Sequence, residues 1–269
     1  KVLAWYNALV DAEFDFETIK AELEPQFTEQ THYALDDKKE KVIGRQRVLY
    51  RSLVIENNIL NNIPSENFTA CVVDIIEQEG LTFLNWTAKC ADWLARVKWL
   101  AQYIESFPQI SEKVLIAQLE QWLLPYIAKV HSIKQLKQLP IFDLLIANLS
   151  WQENQFLELH APVSYLAPSG KTITIRYDEY QGPTVSVVLQ EMFGELVSPC
   201  IAQGQVPLRF ELLSPAKRPI QTTSDIANFW TSSYVDVAKD MRARYPKHRW
   251  PEQPLLEKPG RSIKKHSKY

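Results

Sequence analysis

Two rhythms of apolar and polar residues run through this chain, and the points where one gives way to the other divide it into three. Around Val42 to Leu60, Val48, Tyr50, Leu53 and Ile55 are interspersed with Arg45, Arg47 and Arg51, which predicts strands. The arginines read either as a basic hairpin surface or as the solvated charges that keep an edge strand from pairing with other chains. From 66 the spacing becomes helical: Phe68, Cys71, Val72, Ile75 and Ile76 form a stripe at i, i+3, i+4, i+7 and i+8, and Gly80 is suited to end it. Thr87 is placed to cap a second helix whose Cys90, Trp93, Leu94, Val97, Ala101 and Ile104 share a face. Pro108, Pro125 and Pro140 cut the next stretch into short helices, and Ser150 with Glu153 has the spacing of a capping box ahead of Phe156 and Leu159. The tryptophans at 86, 93, 99 and 122 sit at helical spacing beside aliphatics, which assigns them to the core rather than to base stacking.

Period two returns after 160. Pro168, Ser169 and Gly170 make a turn, Ile173, Ile175 and Tyr177 alternate with Lys171, Thr174 and Arg176, and Val185 and Val187 continue the pattern beyond Gln181-Gly182-Pro183. Leu208, Phe210 and Leu212 alternate with Arg209 and Glu211, and Ile220 belongs to a further strand. Thr223 or Ser224 can cap a short helix carrying Ile226, Phe229 and Trp230. Ser233 and Asp236 resemble a capping box for another, in which Tyr234, Val237, Ala238, Met241 and Tyr245 form the buried stripe and Pro246 the stop. The fold class is α+β. A β-containing segment over 1–65, acidic at its start, precedes a helical bundle over 66–159. A β-rich domain over 160–269 comes last, with a small antiparallel sheet or OB-like barrel, two helices and a basic tail expected to be flexible from about residue 260.

The candidate binding residues fall in this last part. In a barrel, Lys171, Arg176 and Arg209 would share a face able to track a phosphate backbone, with Tyr177 available to stack a base; an ordinary exposed sheet face explains the same residues. Pro215 and Pro219 stiffen the connection that carries Lys217 and Arg218. Arg242 and Arg244 extend the basic run, although Asp240 and Arg244 at i, i+4 also read as a solvated pair. Past Pro246, prolines at 246, 251, 254 and 259 favour an extended chain in which Lys247, His248, Arg249 and Trp250 clamp a phosphate and stack a base, or in which Trp250 simply anchors the tail.

Six stretches carry a resemblance. LNWTAKCADWLARVKWL (84–100), LEQWLLPYIAKV (119–130), HAPVSYLAPSGKTITIRY (160–177), LQEMFG (189–194), LLSPAKRPIQTTSDIANFW (212–230) and MRARYPKHRWPEQP (241–254) look like the C-terminal region of the bacterial HrpB-type ATP-dependent helicases, a DEAH-box group, in the same order. Asn228 and Ala243 stand where that family usually has glycine; both fall in predicted helix, where glycine is the poorer residue by about 1 kcal/mol against alanine. The resemblance implies two ATP-hydrolysing domains upstream in the parent protein, with ATP and Mg belonging there and no cofactor in this segment. It implies as partners those upstream domains and a single strand of RNA or DNA.

Composition narrows the choice. Of 269 residues 46% are hydrophobic and 23% charged, enough apolar side chains for packed cores. No apolar run approaches the roughly 18 residues of a membrane helix and no secretory signal opens the chain, so a cytoplasmic protein without membrane contact is expected. Lys1 is not an initiator methionine, and the opening residues read as the middle of a longer protein. Cys71, Cys90 and Cys200 are expected as free core thiols of a reducing compartment. The net charge of −2 hides an asymmetry: from Lys239 onward ten Lys/Arg face three Asp/Glu, while Asp11 to Asp37 holds nine carboxylates and one lysine. A basic end of this kind points to an acidic partner or to a solubilising tail.

No GxxxxGKS/T loop or DEAH box occurs, so this segment does not hydrolyse ATP by the P-loop route. The five histidines lack HExxH or ligand spacing, which argues against a metal site, and GxSxG is absent. Two functions fit: a non-catalytic accessory region of an ATP-dependent helicase that holds or guides the strand or regulates the motor, or a protein-interaction module that docks other chains through its acidic start and basic end.

Overall fold

The computed structural model describes residues 27–260 apart from 37, 39 and 61. The acidic opening before 27 and the basic tail past 260 lie outside the described residues. In chain order the elements begin with β1 (Phe27–Leu35), β2 (Val42–Tyr50) and β3 (Leu53–Leu60). The helical stretch runs α1 (Ser65–Glu79), α2 (Ala88–Tyr103), α3 (Glu112–Ala117), α4 (Leu119–Trp122), α5 (Leu124–Ile127), α6 (Ile133–Leu136), α7 (Ile141–Ile146) and α8 (Trp151–His160). Strands β4 (Ser164–Leu166), β5 (Thr172–Asp178), β6 (Gly182–Val188), β7 (Cys200–Ile201), β8 (Val206–Pro207), β9 (Arg209–Leu213) and β10 (Pro219–Thr223) come next, then α9 (Ile226–Thr231) and α10 (Tyr234–Arg244).

These elements form two compact units. One holds the described residues up to Asn85 together with Leu119–Pro140; the other holds Trp86–Gln118 and those from Ile141 onward. The helical stretch expected as one bundle is therefore shared between them, because packing follows the apolar faces rather than chain order.

In the first unit β1, β2 and β3 form an antiparallel meander. Strand β1 lies in a stretch that reads from sequence only as acidic. A distant contact makes it a strand: the Tyr33 ring lies over Gly44 of β2, where an added Cβ would come within 3.0 Å of it. Helix α1 packs against β1 and buries the expected stripe of Phe68, Cys71, Val72, Ile75 and Ile76. Gly80 closes it at φ 81°, its N–H donating to the Ile76 carbonyl at 2.9 Å.

In the second unit α2 packs against α7, α8 and β5. Its buried residues include Trp93, Val97, Trp99 and Leu100, so the tryptophans are core, as their spacing predicts. Thr87 occupies the N-cap position without a capping bond; its hydroxyl lies 3.4 Å from the Cys90 thiol instead. The capping box at α8 is complete: Ser150 N–H donates to Glu153 Oε2 at 2.6 Å, and Glu153 N–H donates to Ser150 Oγ at 3.2 Å. Leu157 is the residue this helix buries, whereas Leu159 is 71% exposed. Cys200, expected in the core, is exposed at the start of a two-residue strand; Cys71 and Cys90 are buried.

The five-stranded sheet has the order β10-β9-β6-β5-β4. It is antiparallel except at its centre, where β6 and β9 run parallel because the chain crosses over between them. Among the described residues its two ends do not pair with each other, so the OB-like closure is not formed and the sheet is open. Ile175, Val185, Val187, Phe210 and Leu212 make the buried face, and the Tyr165 ring meets Phe210 at 5.3 Å between centroids. Burial, reinforced by the hydrogen bond from its hydroxyl to Glu195, pushes the Tyr165 pKa far above the ordinary tyrosine range.

The two closing helices form where expected but start differently. Asp225, not Thr223 or Ser224, caps α9, its Oδ1 accepting from Asn228 N–H at 2.9 Å while Thr223 Oγ1 accepts from Asp225 N–H. Ser233 makes no capping bond because its backbone is already helical, so α10 follows α9 almost without a break. Tyr234, Ala238 and Met241 are the buried side of α10.

Candidate nucleic-acid interface

The alternation of β5 sends Thr172, Thr174 and Arg176 to the exposed side of the sheet and Ile175 to the core. Register aligns Arg176 with the buried Thr184, and Ser186 with Glu211, so on the outer face the Ser186 hydroxyl stands beside Arg176. A groove of about 400 Å³ crosses this face, lined by Lys171, Thr172, Thr174, Arg176, Ser186 and Lys217 among others. Lys217 reaches it from the β9–β10 turn. Ser214 and Pro215 open that turn, Ser214 N–H donates to the Arg218 carbonyl at 2.8 Å, and Lys217 takes φ 60° to close it. Lys171, Lys217 and Arg218 are exposed.

Arg176 is exposed but not free. It lies 3.4 Å from Glu211 Oε2 and 3.2 Å from Ser186 Oγ, and Ser186 in turn donates to Glu211. A phosphate entering this groove would meet Arg176 already oriented by neighbours it can exchange. Arg209 sits farther along the face, donating to Gln181 Oε1 at 3.3 Å. A second cavity, about 380 Å³, adjoins Arg176 on the side of Asp92, Arg96, Asp178 and Gln181. Asp178 Oδ1 accepts from the N–H groups of Tyr180 and Gln181, which holds its carboxyl below the usual carboxylate range and fixes this turn.

Several sequence-derived candidates are committed to the fold. Tyr177 is half-buried and turned inward, its ring 5.0 Å from Trp99 and its hydroxyl donating to the Pro162 carbonyl at 2.7 Å, and it lines the second cavity rather than the groove. Its pKa is raised, first of all by burial. Trp250 is 4% exposed and its Nε1 donates to the Tyr245 carbonyl: it anchors the tail, the second of its two readings. Arg249 pairs with Glu257 at 2.6 Å and donates to the carbonyls of Lys258 and Gly260, so its guanidinium is already engaged by the tail. Arg242 donates to the Trp250 carbonyl and Arg244 pairs with Asp240 at 3.2 Å. His248 is half-buried beside the Tyr245 ring; Lys247 is exposed. The proline-rich exit is not extended. It folds back, with Tyr234 Oη donating to the Pro251 carbonyl and Gly260 N–H to the Gln190 carbonyl.

The groove residues missed at the level of sequence are Thr172 and Ser186. Their signal was present in the same period-two pattern that located Arg176. Among the described residues no three His, Cys, Asp or Glu side chains lie close enough to hold a metal ion, and no helix is long and apolar enough to cross a membrane.

The second unit is thus an open sheet backed by a helical layer, with a basic outer face. Residues 122–254 match the family described as ATP-dependent helicase C-terminal (HrpB_C). The chain is 39% identical over 248 residues to the ATP-dependent RNA helicase HrpB of Escherichia coli K12, covering 90% of this chain and 30% of that protein. Its fold is similar to the crystal structure of the E. coli DExH-box NTPase HrpB, with a TM-score of 0.72 and 36% identity over 92% of this chain and 31% of that one. A second crystal structure, of the E. coli DEAH/RHA helicase HrpB, gives a TM-score of 0.63 at 36% identity over 84% and 29% of the two chains. The chain corresponds to the C-terminal region of the HrpB-type helicases, with residues 122–254 carrying the part that defines it and the whole spanning about a third of the length of those relatives.

Proposed function

We propose that this chain serves an ATP-dependent RNA helicase as a non-catalytic accessory region that holds or guides the strand, through the outer face of its five-stranded sheet. The observation that carries the reading is the groove in which Lys171, Arg176 and Lys217 converge among the hydroxyls of Thr172, Thr174 and Ser186. A motor turns domain closure into strand movement only if something retains the strand between cycles, and an exposed basic groove does this without reading sequence. In this reading ATP and Mg act in the parent protein's motor domains, which are this region's protein partners. The relative named an ATP-dependent RNA helicase makes RNA the first substrate to test.

The test is fluorescence anisotropy of a labelled single-stranded RNA with the 269-residue chain over a range of salt. Each phosphate neutralised adds about 0.7 to the log–log slope, so the two lysines together account for about 1.4 of it, or roughly sevenfold in affinity between about 50 and 200 mM salt. Lys171→Ala with Lys217→Ala should remove that share. A slope unchanged by the double substitution overturns this groove as the contact. Absence of binding at low salt favours the protein-interaction module.

A further inference from the structure

We infer that the first unit carries a second single-strand surface, on the side of the β1–β2–β3 meander that displays Arg45 and Arg47. On an edge strand exposed charges are explained by protection against pairing with other chains. The structure removes that explanation, because β2 is the central strand and is hydrogen-bonded on both sides. Register then shows what shares the face with the arginines. His32, Arg45 and Ile59 form one cross-strand row, and Gln30, Arg47 and Asn57 form the next. All six are exposed.

The strands' carboxylates lie on the other side. Glu29 and Glu56 flank the buried Val48, where Glu29 accepts from Gln46 at 3.3 Å and Glu56 from Asn58 at 3.4 Å. Among the described residues neither Arg45 nor Arg47 has an ion pair or hydrogen bond from its guanidinium. Among the described residues no carboxylate stands beside these two cations, which repel each other, and a polyanion relieves that repulsion. They stand two residues apart on one strand, about 6.8 Å, close to the separation of successive phosphates in an extended single strand. The amides of Gln30 and Asn57 and the apolar Ile59 beside them offer bases sequence-tolerant polar and apolar contacts. The occupant is therefore the sugar-phosphate backbone of single-stranded nucleic acid.

The experiment compares the unaltered 269-residue chain, Arg45→Ala with Arg47→Ala, and Lys171→Ala with Lys217→Ala, each titrated against a labelled single-stranded RNA and the DNA of equal sequence at several salt concentrations. Loss of the two arginines should lower the log–log slope by about 1.4 and leave the melting temperature unchanged, since both are exposed. An unchanged slope in the arginine variant, with the lysine variant reduced, overturns this surface and leaves the groove standing. The converse sustains this surface while the groove fails. Retention of poly-L-glutamate without binding of either oligonucleotide overturns it in favour of an acidic protein partner.

Discussion

Arg96 offers the sharpest test of how the second unit is held together. It lies on α2 at 6% exposure, its Nε donating to the Ala161 carbonyl at 2.7 Å and its Nη2 pairing with Glu158 at 2.8 Å. Ala161 is the fully buried joint between α8 and the strands, so this guanidinium ties the helical layer to the sheet. Replacement by alanine leaves that carbonyl without its charged donor, a loss of about 1.5–3 kcal/mol. Glu158 keeps 57% of its side chain in water and can be resolvated, so the ion pair adds only about 0–1 kcal/mol. The expected loss for Arg96→Ala is therefore about 2–4 kcal/mol, against less than about 1 kcal/mol for Glu158→Gln. Urea titration followed by tryptophan fluorescence measures both, since Trp93 and Trp99 are buried on the same helix. A change below about 0.5 kcal/mol for Arg96→Ala would refute the argument, because a surface position behaves that way.

Two more predictions need little material. Asp178 has its pKa held below the ordinary value by bonds from Gln181 and Tyr180, so its contribution is present above the unfolded pKa and lost as pH falls through the lower folded one; Asp178→Asn should flatten the stability profile below about pH 4, and an unaltered acid limb speaks against the turn's role. Cys200 is exposed while Cys71 and Cys90 are buried, so a thiol reagent should modify one cysteine quickly and two only on unfolding; three equal rates would contradict the burial pattern.

Much of the fold was legible because the interactions responsible are local. The stripe of α1, its end at Gly80, the capping box at Ser150 and the alternation of β5 and β9 each depend on residues within about two turns or a single strand. The start of α9 was misread by one or two residues because Thr223, Ser224 and Asp225 are all competent caps, and only the backbone path selects Asp225. The candidate site was legible as a set of cations but not as a surface. Residue type marks Arg176 and Arg249 alike, yet one lines an open groove and the other is occupied by Glu257 and two carbonyls.

What the chain determines by itself is where helices and strands lie and which of their faces are apolar, since both follow from spacings of about two and 3.6 residues. Tertiary structure alone decided that β1 is a strand, that β6 pairs in parallel with β9, and that Arg45 and Arg47 stand on a central strand rather than an edge. It also decided that Tyr177 turns inward against Trp99 and that Trp250 is buried. The reason is the same in each case: register, burial and ion pairing are settled between residues far apart in sequence, and they decide whether a cation lines an open groove, as Arg176 does beside Glu211, or is enclosed by its acceptors, as Arg249 is.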